Sequence, residues 1–410
     1  MENFGVYQYH HNQGQAALIA VVFFLFLSLA LVAAFANTAV QESKILRVNL
    51  DAKQSYFLAE AGVEDATWRI IKGKNYTSPI ILTLGGVSAT TTVTNIGANS
   101  KTITASGDVS GESRSISTSL APGGTSVSFH YGVQVGDGGI MMGNNSSIIG
   151  NVYSDGSITG SGSVTGDVVV AGAANKIGAI TIGNSSSGTG RAHVFNGTTI
   201  HGSSCPNQYC IVDNPAYQSL PIPDAVIQGW IDAAVAGGTI NGNYTVSGSK
   251  SLGPTKINGN LSVSGGATLT VTGTIWVTGT FETENNTIIK LSSGYGTGSG
   301  VIVADGVVDV SNNTTMSGSG QAGSYIMLVG AKNAPASQVM DISNNSVGAI
   351  YYANHGRIHF NNNATAKEVT GYGLDFDNNA SITYESGLAN ANFSSGPGAG
   401  WQISNWQEVQ

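Results

Sequence analysis

The hydrophobic positions along this chain change period three times, and each period predicts a different element. From Ala16 to Val40 the chain reads AALIAVVFFLFLSLALVAAFANTAV, without a single charge. At about 1.5 Å per residue that is a helix of roughly 37 Å, enough to cross a bilayer. A secretory signal peptide is the weaker reading, because residues 1–15 contain no Lys or Arg and its apolar core would be shorter. Glu42, Lys44, Arg47, Asp51 and Lys53 follow the span, and no proline occurs from Met1 to Asn75, so the helix can continue. Ala52, Tyr56, Ala59, Val63, Ala66 and Ile70 then recur at steps of four and three, while Lys53, Glu60, Glu64 and Asp65 take other directions. That is one packing stripe. Lys72 and Gly73 supply a stop, so the pattern predicts a helix of roughly sixty residues that begins in lipid and ends against a globular head.

From Ile80 to Leu120 apolar residues alternate loosely with Ser and Thr, which predicts a small antiparallel β module. After Val127 the step becomes six. Val152, Ile158, Val164 and Val170 form one comb; Ile240, Val246 and Leu252 with Ile257, Val263, Leu269, Ile275 and Phe281 form another. Six is the step of a triangular β-solenoid face, in which each apolar residue points inward and the polar ones turn corners or meet water. Asn pairs follow strand-like runs at Asn144, Asn312, Asn344, Asn362 and Asn378. Asn tolerates the left-handed backbone of a tight corner, and aligned Asn on successive turns can form a ladder. The N-x-Ser/Thr pattern at Asn144, Asn312, Asn344, Asn363 and Asn379 offers glycosylation as the rival reading.

Composition agrees with a repetitive β fold. Only 10% of the residues are charged, against roughly 25% in ordinary globular chains, and Gly occurs 56 times. Sixteen Lys plus Arg against 24 Asp plus Glu give a net charge of −8, which removes the basic face that nucleic-acid binding requires. The two cysteines, Cys205 and Cys210, can close one small loop but cannot build a four-cysteine zinc site. A free thiol pair is the alternative. They lie where the six-residue period breaks, from Gly202 to Gly238, and a short helix from Asp224 to Ala236, capped by Asp224, is expected in the same interruption. Trp401 and Trp406 suggest a C-terminal cap over the last solenoid turn, or a sugar-stacking surface.

Gly14, the uncharged helix and the segment SYFLAEAGVEDATWRI from Ser55 to Ile70 resemble the class III prepilin start and the AEAG segment of PilX-type minor pilins. The resemblance implies cleavage between Gly14 and Gln15 by a prepilin peptidase. It also implies docking of the helix among other pilin-like subunits in a filament core, through Ile19, Phe23, Leu27, Tyr56, Ala59, Glu60 and Val63. Gln13 precedes the Gly where pilin leaders usually carry Lys or Arg. Ile19 stands at the fifth mature position, where major pilins carry a Glu, and this resembles tip components of secretion pseudopili. The stretch IIGNVYSDGSITGSGSVTGDVVVAG, Ile148 to Gly172, is similar to the repeats of bactofilins, a resemblance that implies a β-helical core.

The expected organisation is a leader over 1–14, a transmembrane and amphipathic helix over 15–73, and a β module over 74–125. A β-solenoid of the right-handed β-helix type follows over 126–202 and 239–392, interrupted by an insertion over 203–238, with a cap over 393–410. The fold class is mainly β.

The head offers one candidate cluster for chemistry. Asn354, His355 and Arg357 near Asp341, Asp375 and Asp377 form the best cluster, but glycoside hydrolysis needs two carboxylates at a set separation, and these Asp recur with the strand motif itself. A corner Ca²⁺ site lacks the nonapeptide or EF-hand pattern. No phosphate loop, His-Glu-x-x-His pair or Gly-x-Ser-x-Gly elbow occurs. The expectation is a non-enzymatic, single-pass membrane subunit with an extracytoplasmic head, no cofactor, no metal and no nucleic-acid partner, displaying the solenoid to a glycan or other cell-surface ligand. A solitary anchored surface protein, or a carbohydrate-active one, is the alternative.

Overall fold

The computed structural model describes residues 13–71, 74, 76–96, 100–122, 125–184, 186–394, 396 and 401–409. Of the expected leader, residues 1–12 lie outside them. Helix α1 (Gln13–Ile71) runs for 59 residues, roughly 88 Å at about 1.5 Å per residue. From Gln15 to Leu50 every side chain is exposed. The remainder packs on an antiparallel sheet of Ile80–Leu84, Val87–Ile96, Ser100–Val109 and Glu112–Pro122, paired in that order. Ala59, Val63 and Ala66 are buried against Ile103, Ala105, Ile116 and Leu120.

The smallness of the AEAG segment has a steric cause. A Cβ added to Gly62 would stand 2.7 Å from Thr91 Oγ1 and 3.0 and 3.1 Å from the Cβ atoms of Ala89 and Ala105. On the sheet side, a Cβ at Gly107 would stand 2.4 Å from the Ser55 carbonyl. Helix and sheet therefore approach more closely than larger side chains allow.

The C-terminus does not cap the solenoid, which corrects the expectation for 393–410. Trp401–Val409 is the fifth strand of the small sheet, antiparallel to Glu112–Pro122, with Trp406 opposite Thr118. The Thr118 hydroxyl donates to the Asn405 carbonyl at 2.6 Å, and Arg114 meets Glu408 at 3.2 Å. Without this strand the edge of Glu112–Pro122 would present unpaired N–H and C=O groups. The β module of 74–125 is thus completed from the other end of the chain, and the whole solenoid is inserted between its fourth and fifth strands.

The solenoid has about 12 turns, most of them three short strands long and stacked in parallel on their neighbours. Its stacking order differs from its chain order. The turns from Thr239 onward build toward Glu368–Phe376, and there Val369 pairs with Val133 and Leu374 with Ile140. The last turn in sequence rests on the first. The earlier turns then continue outward to Cys210–Val212. One inward column passes unbroken through Ile302, Leu328, Tyr351, Val369, Val133 and Val152, crossing the junction of the two stretches. All six are buried.

Such an order requires a return connection, and residues 213–238 provide it. Eleven extended residues at about 3.3 Å each and thirteen helical ones at about 1.5 Å each reach roughly 55 Å, close to the height of about 12 turns spaced about 4.8 Å. The strap lies along the first face of the solenoid. Tyr153 donates its hydroxyl to the Ala216 carbonyl, Gln134 its amide to Ser219 O at 3.0 Å, and Tyr352 its hydroxyl to Ile222 O at 2.6 Å. Helix α2 (Asp224–Ala236) then sets Ile227 and Trp230 into a cluster with Val301, Val303 and Met327. The expected insertion over 203–238 is therefore corrected in part, because Cys210–Val212 is a solenoid strand paired with Gly190–Ala192. Asp224 does not cap α2 either. Pro223 takes the N-cap position with no side-chain cap, and Asp224 turns to Asn354 and His355.

The same first face receives the two ends of the head. Thr125–Val127 and Ala391–Phe393 pair antiparallel over it, with Phe129, Leu388 and Phe393 buried in the cluster that holds α2.

Candidate functional site

Three regions hold the residues singled out by sequence. On α1, Gly14 and Gln15 fall in the first turn, and Ile19, Phe23 and Leu27 are exposed. Tyr56, Ala59 and Val63 correct the expectation of a subunit-core contact, because they face the chain's own sheet. Glu60 is half-buried. Helical periodicity instead puts Phe57 and Trp68 on the open side, where they are 63% and 52% exposed and extend the apolar surface beyond the charged segment.

The second region is a charged column on the second face of the solenoid. Glu282, Asp309, Asp341, His359 and Asp375 occupy one outward register position on consecutive strands. His359 Nδ1 is 2.9 Å from Asp341 Oδ1 and Nε2 is 3.3 Å from Asp377 Oδ1. Carboxylates only accept, so the ring donates at both nitrogens as the imidazolium. The Asp341 contact, with Asp377 assisting, raises its pKa above the ordinary value against the opposing effect of burial. Arg357 donates to both carboxylate oxygens of Asp375, at 2.7 and 2.5 Å, and to the Gly138 carbonyl at 2.8 Å. Burial, then Asp341 and Glu282, raise the pKa of Asp309. His355 stands apart, 3.4 Å from Asp224 of α2. The sequence cluster is thus brought together mostly as pairs that neutralise one another. Among the described residues no group of three or more His, Cys, Asp or Glu could hold a metal ion.

The third region is the set of Asn corners. Backbone φ lies between 57° and 63° at Asn145, Asn286, Asn313, Asn345, Asn363 and Asn379. The ladder expected at the first Asn of each pair exists in one half only. Asn362 Oδ1 accepts from the Asn378 N–H at 3.1 Å, and Asn378 Oδ1 from the Asn144 N–H at 3.0 Å. Asn312 and Asn344 offer their backbone carbonyls, each at 3.0 Å, to Asn286 and Asn313. There the side-chain amides meet one residue later, Asn313 donating to Asn286 at 3.1 Å and Asn345 to Asn313 at 3.3 Å. Cys205 and Cys210 form a disulfide that closes a loop at one end of the stack, with His201 stacked on Tyr209 at 4.0 Å.

Sequence reasoning missed Glu368, which is fully buried beside Tyr352 and Tyr384. Its Oε1 accepts from Thr370 Oγ1 at 2.5 Å, and its Oε2 has no partner. Burial drives its pKa well above the ordinary carboxylate value. Its place in the strand Glu368–Phe376 carried no periodic signal.

No protein-family model matches the chain, and no curated protein does. Among solved structures, the competence-associated pilin ComZ from Thermus thermophilus matches at 12% identity with a TM-score of 0.26, over 88% of this chain and 97% of that one. At that TM-score the match assigns neither fold nor role. Among the described residues one helix is long and apolar enough to cross a membrane, and it lies near the N-terminus.

Proposed function

We propose that the protein is a membrane-anchored, pilin-like subunit that enters a filament through α1 and displays the β-solenoid at the cell surface. The observation that carries this reading is the division of α1. Its first half is apolar and exposed throughout, and its second half is locked by small residues to a sheet whose last strand is the C-terminus. Such a helix leaves Ile19, Phe23 and Leu27 to lipid before assembly and to the helices of other subunits afterwards. Exposed Phe57 and Trp68 continue that contact outside the membrane.

By the minor-pilin resemblance, a prepilin peptidase cuts between Gly14 and Gln15. Ile19 in place of an acid suits a minor or tip position, since a buried carboxylate is costly in lipid without a partner. The head acts by attachment, to a glycan or another surface ligand, and not by catalysis. The acid–base groups on its second face are largely committed to one another.

Intact-mass and N-terminal peptide analysis of the protein from its native membrane or sheared filament fraction tests this. A methylated Gln15 at the mature N-terminus is expected. A retained Met1, or a start beyond Val40, would sink the filament reading and leave an anchored or secreted solenoid.

A further inference from the structure

We propose that the third face of the solenoid binds an extended, uncharged polysaccharide laid along the stack. This rests on the display reading above and names its ligand class and binding face.

The three faces differ in what they leave free. The first is covered by the strap, α2 and the two ends of the head. The second carries the charged column. The third presents short strands whose inward residues are apolar and whose outward residues are mostly Ser or Thr. In one half Ser249, Thr268, Ile288 and Thr315 share an outward register position. In the other Thr365, Ser381, Ser147, Ser163, Thr181 and Thr199 continue it. Val347 joins the halves, bridged to Thr315, with the Thr365 N–H donating to the adjacent Ser346 carbonyl at 2.8 Å. The column runs roughly 48 Å at about 4.8 Å per turn.

Except at Thr365, these hydroxyls are not engaged by the protein. Thr365 Oγ1 lies 3.5 Å from Ser346 O, and the other hydroxyls of the column have no side-chain hydrogen bond among the described residues. The corner hydroxyls behave differently: Ser146 donates to Gly143 O at 2.8 Å, Thr314 to Ser311 O at 2.7 Å and Ser346 to Ser311 O at 2.9 Å.

The chemistry selects the ligand. A hydroxyl donates and accepts, and so does each hydroxyl of a sugar polymer. Lys290 is the one charged residue at an outward position of the third-face strands, with Lys250 exposed at the end of the stack, in a protein of net charge −8, so an ionic polymer finds few groups to pair with. Exposed Ile288, Val347 and Ile149 offer aliphatic patches to the C–H faces of sugar rings. The face is periodic, so affinity would come from many weak contacts in series, which a polymer supplies and a single sugar does not.

The test is co-sedimentation of the full chain, in detergent, with insoluble cellulose and chitin, and with calcium alginate gel as the charged polymer. Thr268→Glu with Thr181→Glu alters the third face, and Ser262→Glu alters the second. Retention on cellulose or chitin should fall about tenfold or more in the double variant, through loss of multivalent contact, and persist in S262E. Thr268→Ala with Thr181→Ala, which only removes hydroxyls, replaces the Glu pair if that pair does not fold. No retention on either neutral polymer, equal loss in both variants, or retention on alginate alone overturns the proposal. A chain that is processed to Gln15 yet binds neither neutral polymer sinks the ligand and leaves the display reading standing.

Discussion

The imidazole of His359 meets the Asp341 carboxylate at 2.9 Å from the neighbouring strand, while its other nitrogen reaches Asp377 at 3.3 Å on the opposite side. One cation therefore ties three consecutive turns together on the second face. It also separates carboxylates that would otherwise repel along the column from Glu282 to Asp375.

This clamp makes stability depend on pH in a definite direction. The folded pKa of His359 lies above its ordinary value, near 6.5 in unfolded chains. Its contribution is thus fully present below about 6.5 and is lost as pH rises through the folded pKa. Because the groups are partly exposed, the effect is about 1 kcal/mol or less after screening. Thermal melts of wild type and His359→Gln at pH 5.5 and 9 should differ at the lower pH and converge at the higher. A constant difference would remove the clamp.

Glu368 acts with the opposite chemistry. Its carboxyl pKa is raised by complete burial, so the folded protein holds it neutral at a pH where the unfolded chain ionises it. No penalty exists below the unfolded value of about 4.3, and one grows as pH rises from there until the folded pKa is passed. Replacing it by Met removes both the ionisation and the unpartnered Oε2. The variant should be more stable than wild type at pH 8 by about 1–3 kcal/mol, with the gain shrinking toward pH 4. Denaturant midpoints at the two pH values measure this, and a loss of stability at pH 8 contradicts it.

The combs of six were legible because every turn of a solenoid repeats one instruction. Val152, Ile158, Val164, Ile257, Val263 and Leu269 are all fully or nearly fully buried. The same repetition hid the stacking order. Each turn offers its neighbour an equivalent edge, so periodicity says which residues of a turn point inward but not which turns stack, and the pairing of Val369 with Val133 stayed hidden. The strand Trp401–Val409 was missed for a related reason. Its partner Glu112–Pro122 lies on the far side of the whole solenoid in sequence, and two tryptophans suit a cap as well as a strand. In the charged column the residue types were readable, but their register was fixed only by the stack. The Asn ladder was displaced by one residue where the left-handed corner put the second amide, not the first, over its neighbour.

The close approach at Gly62 yields a steric prediction. Thr91 can rotate its hydroxyl away from a new methyl group, but the Ala89 and Ala105 Cβ atoms cannot retreat without moving the sheet. Gly62→Ala should therefore already be destabilising, because helix or sheet has to give by a few tenths of an ångström. Gly62→Leu should cost about 1–3 kcal/mol by overpacking and separate α1 from the sheet. Protease protection of the segment after Ile71 reports that separation, and an unchanged cleavage pattern in G62L would argue that the helix–sheet contact is loose.

At the end of the stack formed by Ser249–Leu252, the inward column of the third face runs from Met316 through Ile289 and Leu269 to Lys250. This inward column thus ends on an exposed cation, beside the buried Leu252. A charge at an inward position blocks the next turn, because a second molecule stacking there would have to bury it unpaired. The opposite end is closed differently, by the Cys205–Cys210 loop. Replacing Lys250 by Leu should therefore convert a terminated stack into a self-complementary one. Sedimentation velocity of the detergent-solubilised full chain should show K250L associating with rising concentration while wild type and Lys250→Arg do not. If K250L remains as monodisperse as wild type, the unpaired strands at that end are protected by something other than the buried-charge penalty.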